Sequence, residues 1–407
     1  MEIYLSAPEA AAFLEVAQPT LYAYVSRGLV RSQPGIDSRS RVYNRIDLEQ
    51  LRARKRIRNR PQAEVAEALH WGAPLLDSAL TLITNESLYY RGFNALELAV
   101  SRSFWEVACW FWTGDWGARF AQTGAARHKI GAVDDPFKRQ QAWLIERAHS
   151  DPRGYQLAMP YAGDIGASIV WRFLAFLTGS ANASIDDAAS ELAMCWSRKP
   201  QRAAPVLNAI LVLALDHEMN VSSFTSRVVA SAGSNLYEIV SAAMCAFSGS
   251  RHGRVSEKAE QYISDLENTR SASDLVHARL RSGEEIPGFG HPLYPDGDPR
   301  AGLILKLLRE ANPDEFAKIH KKIADTERVI GKRANIDLAI ACASKILALP
   351  AHSGFHLFTL SRSVGWIAHA LEQNQSSTLI RPRARYVGIL PRPESYRVDR
   401  SGVPGLH

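Results

Sequence analysis

Three histidines, one aspartate and three arginines in the second half of this chain stand in contexts that suit chemistry. His217 follows a long apolar helix in DHEMNVSSFTSRV, His252 sits on the Ser/Gly-rich break SGSRHG, and His291 lies in the Gly- and Pro-punctuated loop GFGHPLYPDGDPR. Asp337 opens a helix in NIDLA, and Arg300, Arg362 and Arg381 stand in DPRAG, LSRSVGW and IRPRA. Histidines with one carboxylate on loops and helix ends suit proton transfer at a carbonyl. Glycines beside a histidine let backbone and substrate approach closely, and helix N-termini supply N–H groups for developing negative charge. Each guanidinium can take a carboxylate through two bonds, so several arginines suit a substrate with more than one carboxylate. Spacing alone leaves open whether these residues meet. His352, His356 and His369 receive no catalytic role; His369, in GWIAHALEQ, reads as packing and Arg91, in YYRG, as structural.

The elements that must position this set are helical. From residue 63 onward apolar residues recur at three- and four-residue spacing, as in EVAEALHWGAPLLDSALTLI and GASIVWRFLAFLTG, which predicts a mainly α body. Strand-like alternation is confined to residues 86–90 and the tail near Tyr386. The run FWEVACWFW at 104–112 reads as core or dimer packing. GFG at 288–290 lacks the strand-to-helix context of a dinucleotide loop, and no G-x-x-x-x-G-K occurs.

Composition narrows the class. Of 407 residues, 46% are hydrophobic and 22% charged, which excludes a disordered or fibrous chain. The apolar run at 209–215 is too short to span a bilayer, so no membrane partner is expected. Cys109, Cys195, Cys245 and Cys342 form no CxxC or Cys/His cluster, so no metal site is expected and a reducing, cytoplasmic location is. The start MEIYL lacks the features of a signal peptide.

The net charge of +6 is unevenly spread, because residues 1–60 hold eleven Lys+Arg against six Asp+Glu. This basic segment is where a polyanion partner is expected. Ser6 caps a first helix, a second begins at Pro19 and ends at Gly28, residues 37–45 suit a short β-wing, and Asp47 caps a third, basic helix. The phrase TLYAYVSRGLV…SRVYNRIDLEQL, within residues 3–56, resembles the MerR-like and excisionase-like winged helix-turn-helix domains. That resemblance implies DNA as partner through residues 1–58. Gln18, Thr20 and Tyr24 would face bases, and Arg39, Arg41 and Arg45 phosphates. The alternative is a protein-interaction or structural cap. A linker is expected over 59–70.

The body resembles the citrate synthase family over roughly residues 80–390. Seven motifs run in the family's order: YRGFNALELA, HEMNVSSFTSRVVAS, SGSRHG, GFGHPLYPDGDPR, NIDLA, SRSVGWIAHALEQ and RPRARYVG. The resemblance implies a mainly α, two-domain fold, with a large domain over 71–254 and 351–407 and a small domain over 255–350, acting as a homodimer or dimer-based oligomer. It implies condensation of acetyl-CoA with oxaloacetate to citrate and CoA, acetyl-CoA being a cosubstrate and no cofactor being needed. Asp337 would be the base at the methyl group, His252 the donor to the thioester oxygen, and His291 the group that polarises the ketone. His217 would be a further oxoacid ligand, and Arg300, Arg362 and Arg381 the carboxylate clamps, the last reaching across the dimer. Water then cleaves the acyl-CoA product.

Two departures stand out. The family commonly reads HGGAN or HGLAN where this chain has His252-Gly253-Arg254-Val255-Ser256, and GHRVYK where it has the loop His291-Pro292-Leu293-Tyr294-Pro295. Lys332 and Arg333 are candidates to replace the missing basic residues near CoA. The departures keep open propionyl-CoA condensation to 2-methylcitrate, or cleavage of citryl-CoA, because one methylene changes binding by only about 1–3 kcal/mol. The basic module keeps open a transcriptional regulator whose body senses a metabolite.

Overall fold

The computed structural model describes residues 4–35, 40–45, 47–49, 51–52, 76–84, 86–121, 135–376, 378–384 and 386–389. The expected linker at 59–70 lies outside them, as does Arg39.

The N-terminal segment forms a small unit with its own core. Strand Tyr4–Ser6 leads into helix Ala7–Phe13, a short turn and helix Gln18–Ser26, then strands Ser32–Pro34 and Arg41–Asn44. Arg41–Asn44 is the central strand, antiparallel to both others, with Leu5 opposite Tyr43 and Gln33 opposite Val42. Ser6 starts the first helix as expected: the Glu9 carboxylate accepts from the Ser6 N–H at 2.8 Å and from its hydroxyl at 2.6 Å. Gly28, at φ +70°, ends the second helix in a left-handed turn. Leu5, Ala10, Ala11, Leu14, Leu21, Val30, Tyr43 and Leu48 make the core. Strands Tyr4–Ser6 and Ser32–Pro34 are three residues each, too short for alternation to reveal. Asp47 does not cap the third helix. Residue 45 is already helical, Asn44 Oδ1 accepts from Asp47 N at 3.2 Å, and the Asp47 carboxylate instead grips Arg31 at 2.8 and 2.9 Å.

The body is helical around a single large core. A three-stranded antiparallel sheet of Thr81–Ile83, Leu88–Tyr90 and Phe93–Asn94 precedes it. No strand forms at 386–389, where the Tyr386 hydroxyl donates to the Ile389 carbonyl at 2.7 Å. In helix Phe104–Thr113 both faces are buried, with Trp112 Nε1 donating to the Val364 carbonyl at 2.9 Å. Arg91 is structural: its Nε donates to the Phe111 carbonyl at 2.7 Å. Among the described residues no helix is long and apolar enough to cross a membrane.

Helix Ser353–Asn374 is the axis of the body. It is buried along most of its length, polar residues included, and packs against Tyr161–Thr178, Val221–Ser231 and Leu236–Phe247. Helix Ile336–Ile346 packs against Val255–Asn268 and Pro299–Ala311. Gly365 lets the axial helix touch the end of the apolar helix Pro200–Leu213, for a Cβ there would strike the Leu215 carbonyl and stand 3.0 Å from an Asp216 oxygen. Gly365→Ala is therefore expected to lower unfolding free energy by about 1–3 kcal/mol, read as a lower urea midpoint at unchanged slope.

Candidate active site

Residues 288–290 lie antiparallel on residues 333–335 and so bring the His291 loop to the start of the Asp337 helix. Gly290 N donates to the Arg333 carbonyl at 2.7 Å, and Asn335 N donates to the Gly288 carbonyl at 2.9 Å. Asn335 then works twice. Its Nδ2 donates to the Gly290 carbonyl at 3.0 Å, and its Oδ1 accepts from Asp337 N at 3.0 Å as the helix cap. The turn demands glycine: Gly288 and Gly290 have φ of +86° and +74°, and a Cβ on Gly288 would come within 2.8 Å of Leu338.

Asp298 ties this loop down. Its carboxylate accepts from Arg300 Nε and Nη2 at 2.9 and 2.8 Å and from the Ile336 N–H at 3.0 Å. Asp298 and Arg300 are both buried. Burial alone would neutralise Asp298, but the Arg300 guanidinium beside it holds its carboxyl below the usual range. Two of the three guanidinium nitrogens of Arg300 are thus committed, leaving Nη1 for a ligand. Arg362, also buried, gives Nε to the Ala214 carbonyl at 2.8 Å, leaving both of its Nη groups.

The histidines crowd the same space. The His217 and His291 rings lie 5.0 Å apart, edge to face. Tyr294 stands beside both, its hydroxyl 3.2 Å from His217 Nε2, and Arg300 lies 5.3 Å over its ring. His252 Nε2 is 2.8 Å from the Ser222 hydroxyl, which also reaches Asn220 Oδ1 at 2.8 Å. That hydroxyl has one proton. Turned to Asn220, it takes the imidazole Nε2–H; turned to the ring, it fixes the proton on the opposite nitrogen, where His252 can donate to a ligand.

Burial sets the protonation states. It pushes His252 and His291 down to about 4, with Arg362 adding to the first and Arg300 to the second. It holds His217 well below its usual value, with Arg300 and His291 adding. All three rings are neutral at pH 7. Burial pushes Asp337 up to about 6, with Asp298 reinforcing it and Arg300 and Arg362 opposing. It is therefore ionised at pH 7 yet more basic than an exposed carboxylate.

Six of the seven residues singled out in the body thus share one region, His217, Arg300 and Arg362 buried and His252, His291 and Asp337 half-buried. Arg381 does not join them within the chain. It lies exposed on the segment after the axial helix, where Ile380 N donates to Ser231 Oγ at 3.1 Å. His369 is not mere packing, for Asp216 and Arg227 take both its ring nitrogens. Asp298, Ser222, Asn335 and Tyr294 stand inside the quoted motifs, yet the sequence reading gave them no role.

In the N-terminal unit, Gln18, Thr20 and Arg41 are exposed. Tyr24 instead packs against the small core, and Tyr22, 48% exposed, is the outward ring. Arg45 is not free for a phosphate: its Nε donates to Glu49 at 3.0 Å and its guanidinium lies 5.1 Å from the Phe13 ring centre.

Residues 165–383 match the family described as citrate synthase, C-terminal domain. That is more than half of the chain, and the chain belongs to the citrate synthase family. It is 33% identical over 195 residues to 2-methylcitrate synthase of Shewanella oneidensis, a match covering 46% of this chain and 51% of that protein. It is 33% identical over 186 residues to citrate synthase 2 of Bacillus subtilis, covering 44% and 50%. The chain thus spans about half the length of these curated relatives. Its fold is that of citrate synthase from Thermoplasma acidophilum, solved with carboxymethyl coenzyme A and oxaloacetate, at a TM-score of 0.67 and 22% identity over 81% of this chain and 97% of that one.

Since the native Asp337 carboxyl releases its proton only near pH 6 and the unfolded one near 4, its ionisation opposes folding. Its contribution to stability falls as pH rises through that window. Asp337→Asn should match wild type in urea midpoint at pH 4 and exceed it at pH 7.5.

Proposed function

We propose that this chain is an acyltransferase that condenses acetyl-CoA with oxaloacetate, giving citrate and CoA. The observation that carries this reading is one buried region holding a basic carboxylate, Asp337, with neutral imidazoles and two arginines. Asp337 takes a methyl proton from the thioester, and His252 donates to the thioester oxygen as the enolate forms. A neutral donor suits this step, since it stabilises charge without surrendering its proton early. His291 polarises the ketone of the oxoacid and protonates the alkoxide as the carbon–carbon bond closes, and His217 binds the oxoacid beside it. Water then cleaves the thioester. The chemistry needs no metal or prosthetic group.

Arg300 and Arg362 bind the oxoacid carboxylates. Their charges are already opposed by Asp298 and Asp216, and a dicarboxylate brings two more negative charges. A further cation is needed, and Arg381 of a second copy supplies it in a homodimer. A small domain over 255–350 closes on a large one over 71–254 and 351–407 to exclude water until the bond has formed. Lys332, whose stem lies against the Gly290 turn, meets CoA in this reading; Arg333 is partly neutralised by Glu327 at 3.0 Å. The likeness to a 2-methylcitrate synthase favours propionyl-CoA as the second acyl substrate.

Purified protein should release CoA thiol only when oxaloacetate is present, and Asp337→Ala should lower the rate at least a thousand-fold. The ratio of kcat/KM for acetyl-CoA and propionyl-CoA assigns the acyl group. No release with either thioester would sink the synthase.

The N-terminal unit reads as a winged helix-turn-helix domain that binds DNA. What supports this is its separate core and the exposed start of helix Gln18–Ser26, flanked by exposed Arg27 and Arg41. Gln18, Thr20 and Tyr22 face bases, and Arg41 sits on a phosphate. On a pool of random-sequence duplexes the full chain should select a preferred site that survives moderate salt, and a chain lacking residues 1–60 should bind none. Binding without sequence preference that vanishes at moderate salt would reduce the interaction to bulk charge.

A further inference from the structure

Beside the site lies a buried polar chain whose histidine and arginine the chemistry above does not use. Asp216 and His369 are both fully buried, and His369 Nε2 meets Asp216 Oδ1 at 3.1 Å. Arg227 Nε donates to His369 Nδ1 at 3.3 Å. That donor fixes the tautomer: Nδ1 is an acceptor, so Nε2 carries the proton and gives it to Asp216. Arg227 is itself held by Glu372, and its Nη1 donates to Gln373 at 3.2 Å. The other Asp216 oxygen accepts from the Thr81 hydroxyl at 2.6 Å, and Ser223 Oγ donates to Oδ1 at 3.3 Å. The carboxylate therefore joins the strand Thr81–Ile83, helix Val221–Ser231 and the axial helix.

A buried charged chain of this kind is no bargain for stability, since well-packed apolar residues of the same shape would hold the fold as well or better. Its placement suggests another role. Asp216 is followed by His217, and Glu218 sits at φ +51°, a left-handed conformation that costs a non-glycine residue on the order of 1–3 kcal/mol. A strained turn persists only where its surroundings over-determine it. The Asp216 side chain has three donors, and its own N–H and carbonyl lie 3.3 and 3.2 Å from the Tyr90 hydroxyl. The same axial helix carries Arg362, seven residues before His369. One side-chain pair thus locks the turn bearing an imidazole to the helix bearing a guanidinium.

We infer that His369, oriented by Arg227, is a positioning residue that acts through Asp216 to fix His217 and Arg362 for the 2-oxo dicarboxylate. The inference rests on the oxoacid-binding reading of that site. It assigns His369 an effect on oxoacid affinity and none on the thioester.

The test compares the full-length wild type with His369→Phe, which keeps the volume but neither nitrogen, and His369→Gln, whose amide offers one donor and one acceptor. His369→Phe should raise KM for oxaloacetate at least ten-fold, weaken oxaloacetate binding by calorimetry to the same degree, and leave KM for acetyl-CoA within two-fold. His369→Gln should recover most of the loss. A His369→Phe protein with a lowered melting temperature but wild-type KM for oxaloacetate overturns the inference, leaving a purely structural pair. If His369→Phe does not fold, Thr81→Val decides. It removes one Asp216 donor and should raise KM for oxaloacetate about three-fold, again without touching the thioester, and an unchanged value overturns the inference. A wild type that neither binds oxaloacetate nor releases thiol is a different failure: it removes the synthase reading and this inference with it.

Discussion

The carboxylate of Asp298 is the joint on which the site hangs. It holds the Nε/Nη2 edge of the Arg300 guanidinium and the first free N–H of the helix that carries Asp337. A single buried carboxylate therefore sets the distance between the Arg300 guanidinium and the start of the helix that carries Asp337. Its charge is tolerable only because Arg300 lies against it; removing either partner would leave a buried charge unopposed, at a cost of about 3–5 kcal/mol. The Gly288–Gly290 turn and the Asn335 cap complete the same joint from the backbone side. Loop and helix start behave as one piece, although 36 residues separate Arg300 from Asp337.

The same burial performs two opposite adjustments. It keeps the imidazoles neutral, so that they donate hydrogen bonds without carrying charge, and it makes the Asp337 carboxylate a stronger base. Neither needs a special group. Both follow from placing these side chains where water is scarce and then letting the arginines moderate the result. The cations sharpen the depression of the histidines and limit the rise of Asp337, so acid and base are separated by one environment.

The sequence carried the site in its motifs more fully than in its periodicity. His217, His252, His291, Asp337, Arg300 and Arg362 were legible because histidines and arginines next to Gly, Pro and Ser are conspicuous, and their shared burial follows in the structure. What was not legible had no side-chain signature of its own. Arg362 is oriented by a backbone carbonyl, that of Ala214, and any residue there offers one. Asp298 reads as an ordinary turn and helix-cap residue until its second and third partners appear. His369 sits on an apolar helix face and looks like packing, because its partners come from residues 142 and 153 positions away. In the N-terminal unit the first two helices were readable from the Ser6 cap and Gly28, whereas three-residue strands carry no alternation to read. Tyr22 and Tyr24 could not be told apart as outward or inward without the third strand and its Tyr43.

The N-terminal core has a thermodynamic consequence of its own. Among the described residues, eight buried side chains, two of them alanine, are little to set against the chain entropy of the unit. A core of this size supplies little stability, so anything that binds the folded form adds a large fraction to it. By mass action, a ligand at one hundred times its dissociation constant adds about 2.7 kcal/mol, comparable to the whole stability of so small a core. The large core of the body has no such sensitivity. One polypeptide therefore joins a body with a large core to a segment whose order is itself adjustable by occupancy.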